Sequence, residues 1–177
     1  MRHHVAMSDP RRLVLIRHAK AEKDDGGGDH GRGLTARGRR DAAAVGRWLA
    51  EHDLVPDLVL CSDARRARET WTAASSELDD PPPLRAEPAL YEASVDSVLD
   101  LVSGTALAVR TLAMVGHDPA TTQTAVALAG HGSDGAMVAE VRAGLPTCGV
   151  AVLHVPGEWA EVSGGSAVLM QHASPRG

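Results

Sequence analysis

The stretch Leu13–Ala21, reading Leu-Val-Leu-Ile-Arg-His-Ala-Lys-Ala, constrains this chain more than any other. Its consecutive apolar residues, Leu13–Ile16, describe a strand buried on both faces, as in a parallel sheet. The run ends abruptly in Arg17 and His18. A cation and an imidazole at the carboxyl end of a strand sit where open α/β sheets place their ligands. His18 is therefore a candidate nucleophile, and Arg17 a candidate partner for a phosphoryl group beside it.

Two later segments repeat the layout. Leu58–Cys61 reads as a second buried strand, followed by Ser62 and a helix over about Ala64–Leu78 with Ala67, Trp71 and Ala74 inward. Leu107–Val115 holds a third apolar strand that ends in Gly116-His117, and Pro119–Gly130 reads as the next helix. Strand, polar residue, helix is the pattern of βαβ crossovers and a parallel sheet. Between the first two units, Glu22–Gly33 carries Gly26, Gly27, Gly28, Gly31 and Gly33 and reads as a flexible loop. Its glycines lack the spacing of a dinucleotide-binding turn. Thr35 is a candidate N-cap for a helix over Ala36–Glu51, whose Ala42, Val45, Trp48 and Leu49 form an apolar stripe.

Farther on, Asp79–Pro83 is an acidic, proline-rich loop. A short extended segment is expected within Leu84–Leu90, a turn at Tyr91–Ser94 and a short helix over Val95–Leu101. Gly149–Val155 reads as a strand, with further strands expected near Trp159–Val162 and Ala167–Met170. The spacing gives one domain over 11–173, a flexible extension over 1–10 and a loose tail over 174–177.

Composition narrows the function classes. The 177 residues include no Phe and only 2% aromatics, so the core must be built from Leu, Val, Ala and Met. A net charge of −5 argues against a nucleic-acid partner. The positive charge is nonetheless concentrated in the first half, at Arg17, Arg32, Arg37, Arg39, Arg40, Arg65, Arg66 and Arg68, and could be focused in one cleft. Cys61 and Cys148 make neither a disulfide framework nor a zinc signature. No run has the length of a membrane span and Met1–Pro10 lacks a hydrophobic signal core, so a cytoplasmic protein is expected. His30, His52, His131, His154 and His172 show no ligand spacing, and neither metal nor other cofactor is expected.

Parallel strands in one sheet bring their carboxyl ends together. Arg17, His18, Arg66 and His117 would then converge on one cleft, with Ser62 and a helix start at its edge. Cations gathered in this way call for an anion, and phosphate suits guanidinium geometry.

The elements also match a known pattern. Arg17-His18-Ala19 resembles the Arg-His-Gly/Ala signature of the histidine phosphatase superfamily, which also contains the cofactor-dependent phosphoglycerate mutases. Leu34-Thr35-Ala36-Arg37-Gly38 resembles its Leu-Thr-x-x-Gly element. Ser62-Asp63-Ala64-Arg65-Arg66-Ala67-Arg68-Glu69-Thr70 resembles Ser-Pro-x-x-Arg-Ala-x-Gln/Glu-Thr, with Asp63 in place of the usual Pro. Val115-Gly116-His117-Asp118-Pro119 resembles Val-Gly-His-Asn-Pro. The short chain, Leu90-Tyr91-Glu92-Ala93 and Pro146-Thr147-Cys148-Gly149-Val150 are most similar to the SixA type of phosphohistidine phosphatase. The resemblance implies a phosphoglycerate mutase-like fold, a three-layer α/β/α sandwich around a mostly parallel sheet. It implies a phosphate pocket of Arg17, His18, Arg66 and His117, and a metal-independent phosphatase that forms phosphohistidine on His18.

For that chemistry His18 must be unprotonated on its attacking nitrogen while the other nitrogen donates to a fixed acceptor. Arg17 and Arg66 would oppose its protonation and neutralise phosphoryl oxygens, and His117 would hold an equatorial oxygen. Ser62 either donates to phosphate or caps the helix, and the cap is favoured. Glu92 and Asp118 are the candidate proton donors, set against a solvated Glu92 and an Asp118 that caps the following helix. A phosphoramidate needs little acid help once its imidazole is protonated, so a missing acid fits phosphohistidine better than a phosphomonoester. The expected partner is a phosphorylated substrate, such as a histidine-phosphorylated protein domain. The alternatives are a phosphatase or mutase-like enzyme on small phosphorylated metabolites, and a phosphate-binding protein without turnover.

Overall fold

The computed structural model describes residues 9–177. The expected flexible extension over 1–10 thus falls, apart from Asp9 and Pro10, outside the described residues. Six strands form one sheet: β1 (Arg11–Arg17), β2 (Leu58–Cys61), β3 (Leu84–Ala86), β4 (Thr111–Gly116), β5 (Val150–Val155) and β6 (Val168–Ala173). Their spatial order is β3-β2-β4-β1-β5-β6. The pairings β3–β2, β2–β4 and β4–β1 are parallel, while β5 runs antiparallel to β1 and β6 antiparallel to β5.

Period-two alternation along the strands sends side chains to two cores. Val14, Ile16, Val59, Cys61, Ala113 and Val115 face α1 (Ala36–Glu51) and α2 (Arg65–Ser75), meeting Val45, Leu49 and Trp71. Leu13, Leu15, Leu60, Leu112 and Met114 face the opposite layer, α3 (Val95–Ser103), α4 (Ala120–Leu128) and α5 (Gly135–Arg142), meeting Val98, Val102, Leu128 and Val141. The result is the expected three-layer α/β/α sandwich.

Local chemistry sets the helix starts. Thr35 Oγ1 accepts from Gly38 N at 2.9 Å, the expected cap of α1. Ser94 and Ser97 cap α3 reciprocally, and Asp134 accepts from Met137 N at the start of α5. One expected strand needs correction. Trp159–Glu161 is a single 3-10 turn and not a strand, because Glu158 and Glu161 cap it reciprocally and Trp159 turns fully inward. The Trp159 indole donates to Val109 O at 2.8 Å. At the C-terminal end, Arg176 donates to Thr147 O at 3.0 Å, and Gly177 N donates to the buried Asp41 carboxylate at 3.2 Å.

α1 and α2 pack so closely that a Cβ on Gly46 would collide with the backbone carbonyl of Ala74. That backbone cannot yield without separating the helices. Gly46→Ala is expected to lower unfolding free energy by roughly 1–3 kcal/mol in a denaturant titration. Unchanged stability would show that the two helices do not meet as described.

Candidate active site

Register brings the three polar strand ends to one level. Arg17 pairs with Gly116 across β1–β4, and Cys61 pairs with Val115 across β2–β4. The residues just beyond continue the ladder: His18 N donates to Gly116 O at 3.0 Å and Ser62 N to Val115 O at 2.9 Å. His18, Ser62 and His117 therefore leave the sheet side by side. Arg66, in the first turn of α2, returns over them.

The orientation of His18 is fixed by its neighbours. Its Nδ1 lies 2.8 Å from Ala19 O. A carbonyl only accepts, so Nδ1 carries the proton and Nε2 keeps its lone pair. Arg66 Nε donates to that Nε2 at 3.3 Å. Residue 19 is itself anchored, because Ala19 N donates to Thr70 Oγ1 at 2.9 Å and Thr70 donates to Arg66 O at 2.7 Å. Thus α2 supplies both Arg66 and the hydroxyl that steadies the backbone next to His18.

Burial, more than the nearby cations, pushes the His18 imidazole down to about 4, against a pull upward from Ala19 O. Arg66, Arg17 and Arg32 push in the same direction as burial. His117, 8% exposed, is pushed down to about 3 by burial first and then by His18 and Arg66. The two rings lie 5.1 Å apart, tilted by 55°. Both imidazoles are therefore neutral at pH 7.

Of the other residues named from sequence, some join this cluster and some do not. Arg17 Nη1 donates to Leu145 O at 2.7 Å and lies 3.8 Å from Asp118 Oδ2. Ser62 is fully buried, and its hydroxyl meets His117 Nε2 at 2.8 Å and Ala64 N at 3.2 Å. It closes the turn before α2 and orients His117, and it is not the helix cap, since Ala64 holds that position. Asp118 accepts from Thr122 N at 3.0 Å and from Thr122 Oγ1 at 2.8 Å, so its carboxylate is committed to the start of α4. Glu92 is exposed and has no hydrogen bond or ion pair among the described residues. Arg65 points away to Glu69, with its Nε 2.7 Å from Oε1. No group of three His, Cys, Asp or Glu that could hold a metal ion occurs among the described residues.

One residue beside His18, Asp29, escapes a reading of the sequence, and another, Tyr91, is named there only within the Leu90-Tyr91-Glu92-Ala93 resemblance, with no role. The glycine-rich segment is organised rather than flexible. Glu22 N donates to Gly33 O at 2.8 Å, Asp24 accepts from Gly26 N and Gly28 N, and a 3-10 turn spans Asp29–Gly31. That turn places Asp29 against Arg66: Nη1 donates to Asp29 O at 2.8 Å and Nη2 to Asp29 Oδ2 at 3.1 Å. Tyr91 OH donates to the same Oδ2, and its ring stands edge-on to His117 at 5.6 Å. The only sequence signal was an acid three residues before Arg32 in an otherwise glycine-rich run.

The His18 and His117 rings thus stand 5.1 Å apart, with Arg66 donating to His18 Nε2 and Arg17 at the end of the same strand as His18. The model of the histidine phosphatase superfamily (branch 1) matches residues 13–132. The chain belongs to the histidine phosphatase superfamily. An uncharacterised protein of Mycobacterium tuberculosis is 40% identical over 162 residues, covering 91% of this chain and 100% of the relative. A solved structure described as a proposed phosphohistidine phosphatase SixA, from Nakamurella multipartitia, superposes with a TM-score of 0.84 at 32% identity. It covers 95% of this chain and 98% of its own. Another, from Agrobacterium tumefaciens and described in the same way, gives 0.78 at 29% identity, covering 95% and 100%. The superfamily membership and these neighbours make the chain a phosphatase, a hydrolase of phosphoryl groups.

The pKa directions have a measurable consequence. The unfolded chain binds a proton at each histidine near pH 6.5, where folded His18 and His117 refuse one. Unfolding free energy should therefore fall as pH drops from 6.5 toward 4. Nuclear magnetic resonance titration should show both imidazoles neutral at pH 5.5. Midpoints near 6.5 would contradict this picture of the site.

Proposed function

We propose that this histidine phosphatase removes phosphoryl groups from phosphohistidine in a protein, passing each through a covalent intermediate on His18. The observation that carries the reading is the Nδ1 bond to Ala19 O, which puts the lone pair on Nε2, facing Arg66, where it can act as the nucleophile. In the first step the Nε2 lone pair attacks phosphorus, a P–N bond to His18 forms and the bond to the leaving group breaks. The departing electron pair takes a proton on the leaving imidazole. Water then attacks phosphorus, the electron pair returns to Nε2, and phosphate and a proton are released. Splitting the displacement in this way replaces one hard step by two easier ones. Arg17, Arg66 and His117 take the roles of oxyanion partners, worth most in a half-buried site.

The substrate class is supported by what the carboxylates do. Asp118 is tied to Thr122, and Glu92 stands exposed, so neither is poised as a strong acid for an alkoxide leaving group. An imidazole leaves without such help once protonated. The likeness to the two neighbours described as SixA, at 32% and 29% identity, supports the same class.

The test compares kcat/KM on a histidine-phosphorylated protein domain with that on a panel of sugar phosphates. The phosphohistidine protein should be preferred by at least about tenfold, and comparable rates would remove the substrate assignment. His18→Ala should abolish turnover of both, by at least about 10³-fold, while inorganic phosphate still binds. Activity retained in that variant would remove the nucleophile assignment, whatever the substrate.

A further inference from the structure

Arg66 is the cation nearest to the His18 nucleophile, and its own placement needs a cause. Its side chain is 8% exposed, and burying a guanidinium is costly unless its donors are met. Four of the five N–H groups of a guanidinium form two forks: an outer one, Nη1 with Nη2, and an inner one, Nε with the second Nη2 proton. Here the outer fork is filled by a single residue. Nη1 donates to Asp29 O and Nη2 to Asp29 Oδ2. The inner fork points the other way, with Nε on His18 Nε2 at 3.3 Å.

We propose that Asp29 is a positioning residue, which grips Arg66 by its outer fork so that the inner fork stays aimed at a phosphoryl group on His18. When Nε2 becomes bonded to phosphorus it loses its lone pair, and the Arg66 Nε–H loses its acceptor. That proton and the free Nη2 proton then face two phosphoryl oxygens, a bidentate pairing that requires no change of rotamer. The gain is orientation set before the charge develops.

The grip is braced from other elements. Arg32 Nη1 donates to Asp29 Oδ1 at 2.8 Å, and Tyr91 OH donates to Oδ2. The Tyr91 ring centroid lies 5.8 Å from Arg66 Cζ. These donors hold the Asp29 carboxyl well below the usual carboxylate range, so it remains charged at neutral pH. The glycine loop, α2 and the turn before α3 thus meet at one carboxylate.

This inference rests on His18 as the nucleophile but not on the identity of the natural substrate. The probe is therefore p-nitrophenyl phosphate, with thermal unfolding followed in parallel. Asp29→Ala should lower kcat and kcat/KM together by roughly 10²-fold, because a loosened Arg66 is lost chiefly from the transition state. Asp29→Asn keeps an oxygen acceptor for Nη2 and should recover most of that loss. In an Arg66→Ala background, Asp29→Ala should cost nothing further, since the group it positions is gone. Additive losses in the double variant would overturn the proposal, as would an Asp29→Ala enzyme that keeps kcat and binds phosphate more tightly. The latter would make Asp29 a competitor for the anion seat. If His18→Ala retained activity, the nucleophile would fail first, and the two failures are told apart by that variant.

Discussion

Everything in this molecule follows from the in-register parallel pairing of three apolar strands that end at the same level. β1, β4 and β2 carry side chains into both cores and can shift only by sliding buried leucines and valines past one another. Their carboxyl ends therefore do not slip, and the first polar residue after each, His18, Ser62 or His117, is delivered to a fixed place. Arg17 and Gly116 lie abreast, and so do Cys61 and Val115. The geometry of the candidate site is a by-product of hydrophobic packing that has no chemistry of its own.

The second constraint is electrostatic. An imidazole near two guanidiniums and half withdrawn from water resists protonation, while a carbonyl on Nδ1 favours it. Burial wins, and His18 is left neutral with a defined tautomer. The same arithmetic operates on His117, where a neighbouring ring adds to burial. Cations that would repel one another are held apart by separate anchors, Leu145 O for Arg17 and Asp29 for Arg66. Folding thus fixes the orientation of both guanidiniums in advance, as the proposed role in holding phosphoryl oxygens requires.

Much of this was legible in the sequence because strands buried on both faces leave long apolar runs, and polar residues ending such runs stand out. Arg17, His18 and His117 are of that kind, and Arg66 sits one turn into the helix after Ser62. The residues that escaped lie where sequence carries little periodicity. Asp29 is hidden in a run of glycines whose composition suggests flexibility, yet Asp24 and the Glu22–Gly33 pairing fold that run onto the site. Tyr91 belongs to a turn, and only three-dimensional proximity links it to Asp29. Trp159-Ala160-Glu161-Val162 alternates as a strand would, but reciprocal capping by Glu158 and Glu161 and the fully buried indole override that pattern. For Ser62 the sequence suggests capping or phosphate binding, and its contact with His117 is neither.

The proposed phosphorus–nitrogen bond to His18 exists only during turnover. The most direct measurement is rapid alkaline quenching with substrate, followed by mass-spectrometric location of the phosphoryl group. One acid-labile phosphate per chain, on Nε2 of His18, should appear before the release of inorganic phosphate and disappear when substrate is spent. An enzyme that turns over with His18 unmodified throughout, or with phosphate on any other residue, would contradict the proposed intermediate.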